Sequence, residues 1–239
     1  KIMMTSLLAG VSSAAQAQPV AEETDPGEII VTATKRAENL QSIPISVSAI
    51  TGDTLSKSRV TQADELVTKI PNLQLTSTVG DNTPIFALRG VSMSDYSLNQ
   101  ASPVATYYDE VYKGNFAFLG IALFDLERVE VLRGPQGTLY GKNTTGGAVN
   151  LISRAPKLGD ANGYLNLGYG NYNRIDANGA VNLPLGDKAA LRVAGTLSKA
   201  DGWFKNVLPG KPDLASVSEY GVRASLLFEP SDSARFILR

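Results

Sequence analysis

The chain has 239 residues, 43% of them hydrophobic, and a formal net charge of -1, a balance that suits a folded protein and gives no drive toward nucleic acid. It contains neither cysteine nor histidine. Their absence excludes disulfides, thiolate-held and histidine-held metals, and Ser-His-Asp or Cys-His catalysis; carboxylate chemistry is left, but few acidic residues stand close together in sequence, so an enzyme is disfavoured.

Residues 1–17 read as a clipped secretory signal. Lys1 ends a basic region, residues 2–11 form a short apolar run, and Ala15-Gln16-Ala17 is a small-residue cleavage site before Gln18. The apolar run is too short for a transmembrane helix, and a buried N-terminal helix is the alternative. With no Met at position 1, the expectation is a sequence incomplete at its start.

Residues 18–28 are acidic, proline-containing and aperiodic, so a flexible linker is expected over residues 18–40. Inside it lies an apolar, β-prone island: Glu28, Ile29, Ile30, Val31, Thr32 and Ala33. It reads either as a first edge strand or as an extended segment suited to strand addition on another protein's sheet edge.

Residues 43–50 alternate, with Ile45, Val47 and Ala49 on one face and Ser46 and Ser48 on the other, as in a half-buried strand. Thr61 and Asp64 have capping-box spacing ahead of Ala63, Leu66, Val67 and Ile70 at helical spacing, and Pro71 closes that helix. Residues 85–91 and 104–112 read as further strands. Three polar stretches, 76–83, 92–102 and 113–120, read as loops.

Residues 127–154 are the organising stretch. Val129 and Val131 point one way, Glu130 and Leu132 the other. Gly134 and Pro135 stop that strand, and Pro135 is placed to open a short helical turn to Leu139. Five glycines (Gly134, Gly137, Gly141, Gly146, Gly147) fall within fourteen positions, a density that serves positive φ and close backbone approach. A second strand, residues 148–153, closes the unit. A phosphate-binding loop is excluded by spacing: three residues, not four, separate Gly137 from Gly141, and Asn143 rather than a hydroxyl residue comes after Lys142.

After Pro156 long dyad strands begin. Leu165, Leu167 and Tyr169 alternate with Asn166 and Gly168. Ile175, Ala177, Gly179, Val181 and Leu183 alternate with Arg174, Asp176, Asn178, Ala180 and Asn182. Leu191, Val193, Gly195 and Leu197 oppose Arg192, Ala194, Thr196 and Ser198, and Tyr220, Val222, Ala224, Leu226 and Phe228 oppose Gly221, Arg223, Ser225 and Leu227. One apolar and one polar face, short turns alternating with a longer loop at 206–216, and Trp203, Phe204 and Tyr220 near strand ends together describe a membrane β-barrel. A soluble sandwich is the alternative, against which Arg174, Asp176 and Arg192 on the inward face favour a wet lumen. A fifth strand begins at Phe236.

The stretch LRGPQGTLYGKNTTGGAVNLIS, residues 132–153, resembles the C-terminal signature of the plug domain in TonB-dependent outer-membrane transporters, and the resemblance extends over nearly the whole chain. It implies a signal remnant at 1–17, a linker at 18–40, an α+β plug of small mixed sheets and short helices at 41–156, and the first strands of an antiparallel transmembrane β-barrel at 157–239. Such barrels have about 22 strands, so an N-terminal fragment lacking its C-terminal barrel is expected. Residues 28–33 (Glu28 to Ala33) resemble a TonB box and would bind TonB. The outward plug loops would meet the cargo, with Tyr96, Asn99 and Gln100 as hydrogen-bonding groups and Phe116 and Phe118 as apolar walls; residues 171–173 and 206–216 would lie outside the cell. Arg89 with Gly90, and Arg133 with Gly134, resemble internal plug residues expected in buried pairs or against the barrel wall, and Gly137, Gly141, Gly146 and Gly147 complete the motif. No cofactor or resident metal is implied. The expected function is uptake of a scarce solute, a ferric siderophore foremost, with TonB and outer-membrane lipid as partners; a passive plugged porin or adhesion barrel, and a soluble periplasmic enzyme, are the rival classes.

Overall fold

A computed structural model of the chain describes residues 29–77, 84–94, 97, 99–115, 122–231 and 233–239. Its elements in chain order are β1 (Ile30–Val31), β2 (Glu38–Asn39), β3 (Val47–Thr51), α1 (Gly52–Lys57), β4 (Leu73–Ser77), β5 (Pro84–Leu88), β6 (Val104–Tyr108), β7 (Val111–Lys113), β8 (Leu126–Arg133), α2 (Gly137–Tyr140) and β9 (Gly147–Ser153), and then β10 (Asn162–Gly170), β11 (Arg174–Pro184), β12 (Ala189–Ala200), β13 (Val217–Ser231) and β14 (Ala234–Leu238). The fold is thus an α+β plug joined to an antiparallel sheet.

The plug is built on one mixed sheet in the order β3-β8-β9-β6-β7. Side chains alternate across a strand, so the sheet has two faces, and both are buried. Val129, Val131, Val149 and Leu151 on the first face pack with Leu66, Ile70, Leu73, Phe86 and Leu88, from the 3-10 turn Asp64–Thr68 and the β4–β5 hairpin. On the second face Leu132, Ala148, Ala105 and Tyr107 pack with Val31, Ala33, Ile43 and Tyr140, so the N-terminal residues form the second covering layer.

Several local expectations need correction. The linker does not run to residue 40. Residues 30–31 pair with 38–39, and Val31 and Ala33 are fully buried, because apolar β-branched side chains gain more from the sheet face than from water. Strand 85–91 stops at Leu88, where Arg89 (φ 53°) and Gly90 (φ 80°) turn the chain. The single strand at 104–112 is a hairpin: Asp109 and Glu110 both have positive φ, 48° and 69°, the pattern of a two-residue type I′ turn. The Asp109 carboxylate holds that turn by accepting from the Ser153 N–H at 2.8 Å and its hydroxyl at 2.7 Å. Glu65, not Asp64, caps the turn after Thr61, accepting from the N–H groups of Thr61 (2.6 Å) and Gln62 (3.1 Å). Pro135 does not open α2. Gln136 occupies the N-cap, since its N–H is held by the Thr144 carbonyl at 2.9 Å. Leu73–Ser77, the start of which carried no strand expectation, pairs with β5.

The second sheet is an up-and-down meander, β10-β11-β12-β13-β14. Its four longer strands have 9, 11, 12 and 15 residues, enough to cross a bilayer at a tilt. The dyad expectation holds face by face. Leu165, Leu167, Tyr169, Val181, Leu197, Tyr220, Val222 and Phe228 are exposed on the outer side. Ala180, Asn182, Arg192, Ala194, Ser225 and Leu227 are buried on the inner side, against which the plug lies. Among the described residues no helix is long and apolar enough to cross a membrane; that says nothing of these strands.

Candidate functional site

A polar row crosses the middle of the second plug face. The strand register sets Ala49 beside Glu130, Glu130 beside Asn150, Asn150 beside Tyr107 and Tyr107 beside Tyr112, one residue from each strand. The next row, Val47, Leu132, Ala148 and Ala105, is apolar. A carboxylate at the centre of a sheet core is costly unless charged or polar partners surround it.

Glu130, wholly buried, has those partners. Its Oε1 accepts from Arg128 Nε at 2.7 Å, the Thr32 N–H at 2.8 Å and the Thr32 hydroxyl at 3.2 Å. Its Oε2 accepts from Asn150 Nδ2 at 3.4 Å. Asn150 also donates to the Tyr140 hydroxyl at 2.9 Å, and that hydroxyl donates to the Ala33 carbonyl at 3.0 Å. Tyr107 donates to the Tyr140 carbonyl, and their rings meet edge to face at 5.2 Å. Lys35, held at φ 65°, places its ammonium 4.5 Å from the centre of the Tyr140 ring. Burial, chiefly, pushes the Tyr140 phenol up to about 12, which keeps it a donor toward Ala33. These groups grip residues 32–33 largely through main-chain N–H and C=O, as a strand partner would. They form a clasp and offer no nucleophile–base pair.

A second cluster fastens the plug to the wall. Asp125 accepts from Arg192 Nε at 2.8 Å and Nη2 at 2.5 Å. Arg223 reaches Asp125 Oδ2 at 3.5 Å, donates to the carbonyls of Asp125 (2.8 Å) and Phe124 (3.1 Å) and to the Tyr108 hydroxyl, and lies over the Phe124 ring at 4.8 Å. Arg239 pairs with Asp109 at 3.3 Å. Burial raises the Tyr108 phenol despite Arg223, keeping it neutral. Toward the other end of the strands, Gln62 donates to Glu219 Oε2 at 3.2 Å beside a small polar cleft that Asp176, Asn178, Thr196 and Ser198 help to line.

Of the residues singled out from sequence, Glu28, Tyr96, Phe116 and Phe118 lie outside the described residues. Ile29, Ile30, Val31, Thr32 and Ala33 form the clasped segment. Asn99 and Gln100 are exposed in a turn where the Gln100 N–H bonds the Ser97 carbonyl at 2.9 Å. Arg89 and Arg133 are not buried ion pairs. Arg133 donates to Ser48 Oγ at 2.6 Å and the Pro71 carbonyl at 3.2 Å, Arg89 donates to Ser46 Oγ at 3.3 Å, and neither has a carboxylate partner among the described residues. Partial burial, then the neighbouring Arg89 charge, lowers Arg133 from the ordinary arginine value. The motif glycines differ in their reason. Gly134 (φ 91°), Gly141 (φ 81°) and Gly147 (φ 145°) have positive φ; Gly146 packs against Val91 and Val104 with no room for a Cβ; Gly137 has open space. Sequence reasoning missed Asp125, Glu130, Tyr140 and Arg223 as functional groups. The available signal was Glu130, an acid set directly between two valines, Val129 and Val131, in the middle of β8. Among the described residues no group of three or more acidic side chains could hold a metal ion.

The match to known proteins has the same two-part layout. Residues 39–148 match the family model described as TonB-dependent Receptor Plug Domain. The chain is 30% identical over 221 residues to the pesticin receptor of Yersinia pestis, covering 92% of this chain and 32% of that protein. To the ferrioxamine B receptor of Salmonella typhimurium it is 31% identical over 254 residues, covering 98% and 33%. The solved ferric yersiniabactin uptake receptor of Yersinia pestis superimposes with a TM-score of 0.69 at 29% identity, covering 79% of this chain and 29% of that one. The chain therefore spans about a third of the length of the relatives it matches, which are transport receptors rather than enzymes. With a plug sheet of this topology fastened to an antiparallel strand meander, the chain belongs to the TonB-dependent receptor family.

Proposed function

We propose that the protein of which this chain forms the plug and first barrel strands takes up a ferric siderophore across the outer membrane, driven by TonB through residues 28–33. The observation that carries this reading is the join between plug and wall. β9 leads through the short connection 154–161 into β10, and Asp125 meets Arg192 and Arg223 behind a strand face whose other side is apolar and exposed. That arrangement suits a stopper held inside a lipid-facing barrel. The cargo class is supported by relatives named for pesticin and ferrioxamine B and by a solved neighbour named for ferric yersiniabactin uptake; a vitamin B12 transporter of Vibrio vulnificus, 26% identical, marks another cargo class. The parts of this reading are a signal at 1–17, a tether ahead of residue 29, a plug that takes in the clasped residues 29–40 and runs to 156, and barrel strands from 157, with outer-membrane lipid against Leu167, Val222 and their neighbours.

The test is deletion of residues 28–33 in the full-length receptor, with measurement of siderophore-borne iron uptake and cell-surface binding. Loss of uptake with binding retained supports the proposal. Uptake that persists would instead fit a passive plugged porin.

A further inference from the structure

The outer face of the barrel strands is uncharged with one exception. On β10, β11 and β13 every residue in outward register is neutral. On β12 the outward residues Leu191, Val193, Gly195 and Leu197 are followed by Lys199, which is exposed. Register sets Lys199 between Ile175 and Ser218, in the row that begins at Tyr169, while Tyr220 stands one row below, opposite Leu197. From Ala189, the first outward residue of β12, Lys199 is ten residues on, about 33 Å of strand at roughly 3.3 Å each. At a tilt of about 40° that is about 25 Å along the membrane normal, the height of the apolar band of such a barrel. Lys199 therefore stands at the rim of the band, with Tyr169 and Tyr220 beside it as a girdle.

An ordered, apolar hairpin rises from the same rim. The Asp201 N–H bonds the Tyr172 carbonyl at 2.8 Å, the main chains of Phe204 and Leu214 pair at 2.7 and 3.2 Å, and Asp213 accepts from the Asn206 N–H at 3.0 Å. The hairpin exposes Trp203, Phe204 and Leu208, and Val207 to 93%. An apolar surface of this kind marks a contact. Lys205 and Lys211, both exposed, are set among these side chains. Among the described residues none of the ammonium groups of Lys199, Lys205 and Lys211 has a carboxylate partner. Hydrocarbon satisfies the apolar surface and leaves the cations unpaired; a lipid whose headgroup carries phosphate satisfies both, since an ammonium binds phosphate oxygens as a point charge and Tyr and Trp rings seat at headgroup level.

We propose that Lys199, Lys205 and Lys211, with Tyr169, Tyr220 and Trp203, form a binding site for the phosphate groups of the outer-leaflet glycolipid and hold the 201–216 hairpin to the membrane surface. With β10 rising from the periplasmic side, this rim lies in the outer leaflet, whose lipid is a phosphorylated glycolipid. The proposal rests on the outer-membrane placement of these strands in the function proposed above; TonB and the cargo play no part in it.

The test uses the full-length receptor folded into phosphatidylcholine vesicles that contain equal amounts of bisphosphorylated lipid A and lipid A stripped of phosphate. A photo-cross-linking amino acid replaces either Ser218, opposite Lys199, or Phe228, on the same face toward the other end of β13, and the lipid adducts are compared by mass spectrometry. Adducts at 218 are expected to favour the bisphosphorylated lipid by at least about tenfold, or about 1.4 kcal/mol, and those at 228 by less than about twofold. Lys199→Gln, Lys205→Gln and Lys211→Gln together should bring the ratio at 218 close to one, and arginine at the same positions should preserve it. Lys188→Gln, whose ammonium bonds the Pro230 carbonyl at 3.0 Å at the opposite rim, should leave it unchanged. A ratio near one at 218 in the native receptor, an equal preference at 218 and 228, or a preference that survives the triple glutamine change would overturn the proposal. Lipid adducts at neither position would overturn the membrane placement along with the site. Uptake that persists without residues 28–33 would strike the proposed function and leave this site standing.

Discussion

Asp125 and Arg192, 67 residues apart in sequence, meet in a two-pronged ion pair of 2.5 and 2.8 Å, with both side chains almost fully buried between plug and strand wall. Buried pairs of this kind are stabilising only as a unit, because removing one partner strands the other's charge away from water. Asp125→Ala is expected to destabilise the plug by about 3–5 kcal/mol, seen as a lower thermal midpoint of the full-length receptor in detergent. Adding Arg192→Met should recover part of that loss, since Arg223 keeps its carbonyl partners. A double variant as unstable as the single one would show that the pair's charge is not the reason.

Two motif glycines should answer differently to alanine. A Cβ on Gly147, whose φ is 145°, would lie 2.2 Å from the Leu132 carbonyl oxygen, so Gly147→Ala should cost at least about 1–3 kcal/mol from backbone strain alone. Gly137, in the first turn of α2 with nothing near its Cβ position, should accept alanine with a gain of about 0.4–1 kcal/mol. Equal effects in unfolding experiments would contradict the backbone argument.

The clasp has a definite pH signature. Tyr140 is raised from 10.0 to about 12 in the fold, mainly by burial, so its neutral form is the one the fold favours. The associated stability, about 2–3 kcal/mol, is fully present below pH 10 and is lost as pH rises through 12. Tyr140→Phe loses its bonds to Ala33 and Asn150, costing about 1–2 kcal/mol at neutral pH, and should show a flatter decline between pH 10 and 12. Unfolding curves of both proteins across that range decide the point.

The outer face of the strand sheet should reject charge. Leu167 is 74% exposed and midway along β10, so Leu167→Arg should oppose membrane folding by about 2–4 kcal/mol if it lies near the bilayer midplane. Asn166, which faces inward and bonds Asn178 at 3.0 Å, should tolerate serine. Folding yields into vesicles of the full-length receptor measure both.

For the cargo, the outward plug loop is the proposed floor. Replacing Tyr96, Asn99 and Gln100 together with alanine is expected to weaken cell-surface cargo binding at least tenfold, about 1.4 kcal/mol. Unchanged affinity would assign recognition to barrel loops instead.

Features controlled by local periodicity were legible before any fold was known. In β11 and β12 each inward and outward side chain obeys the period of two, and the strands pair in the register that keeps Val181 with Val193 and Asn182 with Arg192. The glycine-rich unit between β8 and β9 was legible for the same reason, since positive φ leaves its mark on residue type. What residues far apart do to each other came from the folded arrangement. Nothing near Asp125 announces Arg192, and nothing in the apolar run Ile29–Ile30–Val31 says that it packs on Leu132 and Tyr140, about a hundred positions away, rather than floating free. The Asp109–Glu110 turn was hidden too, because its positive φ values are sustained by Ser153 on another strand and not by glycine. A β-strand's faces are set by its own covalent geometry; its neighbours are set by which distant surface lowers the free energy most on burial.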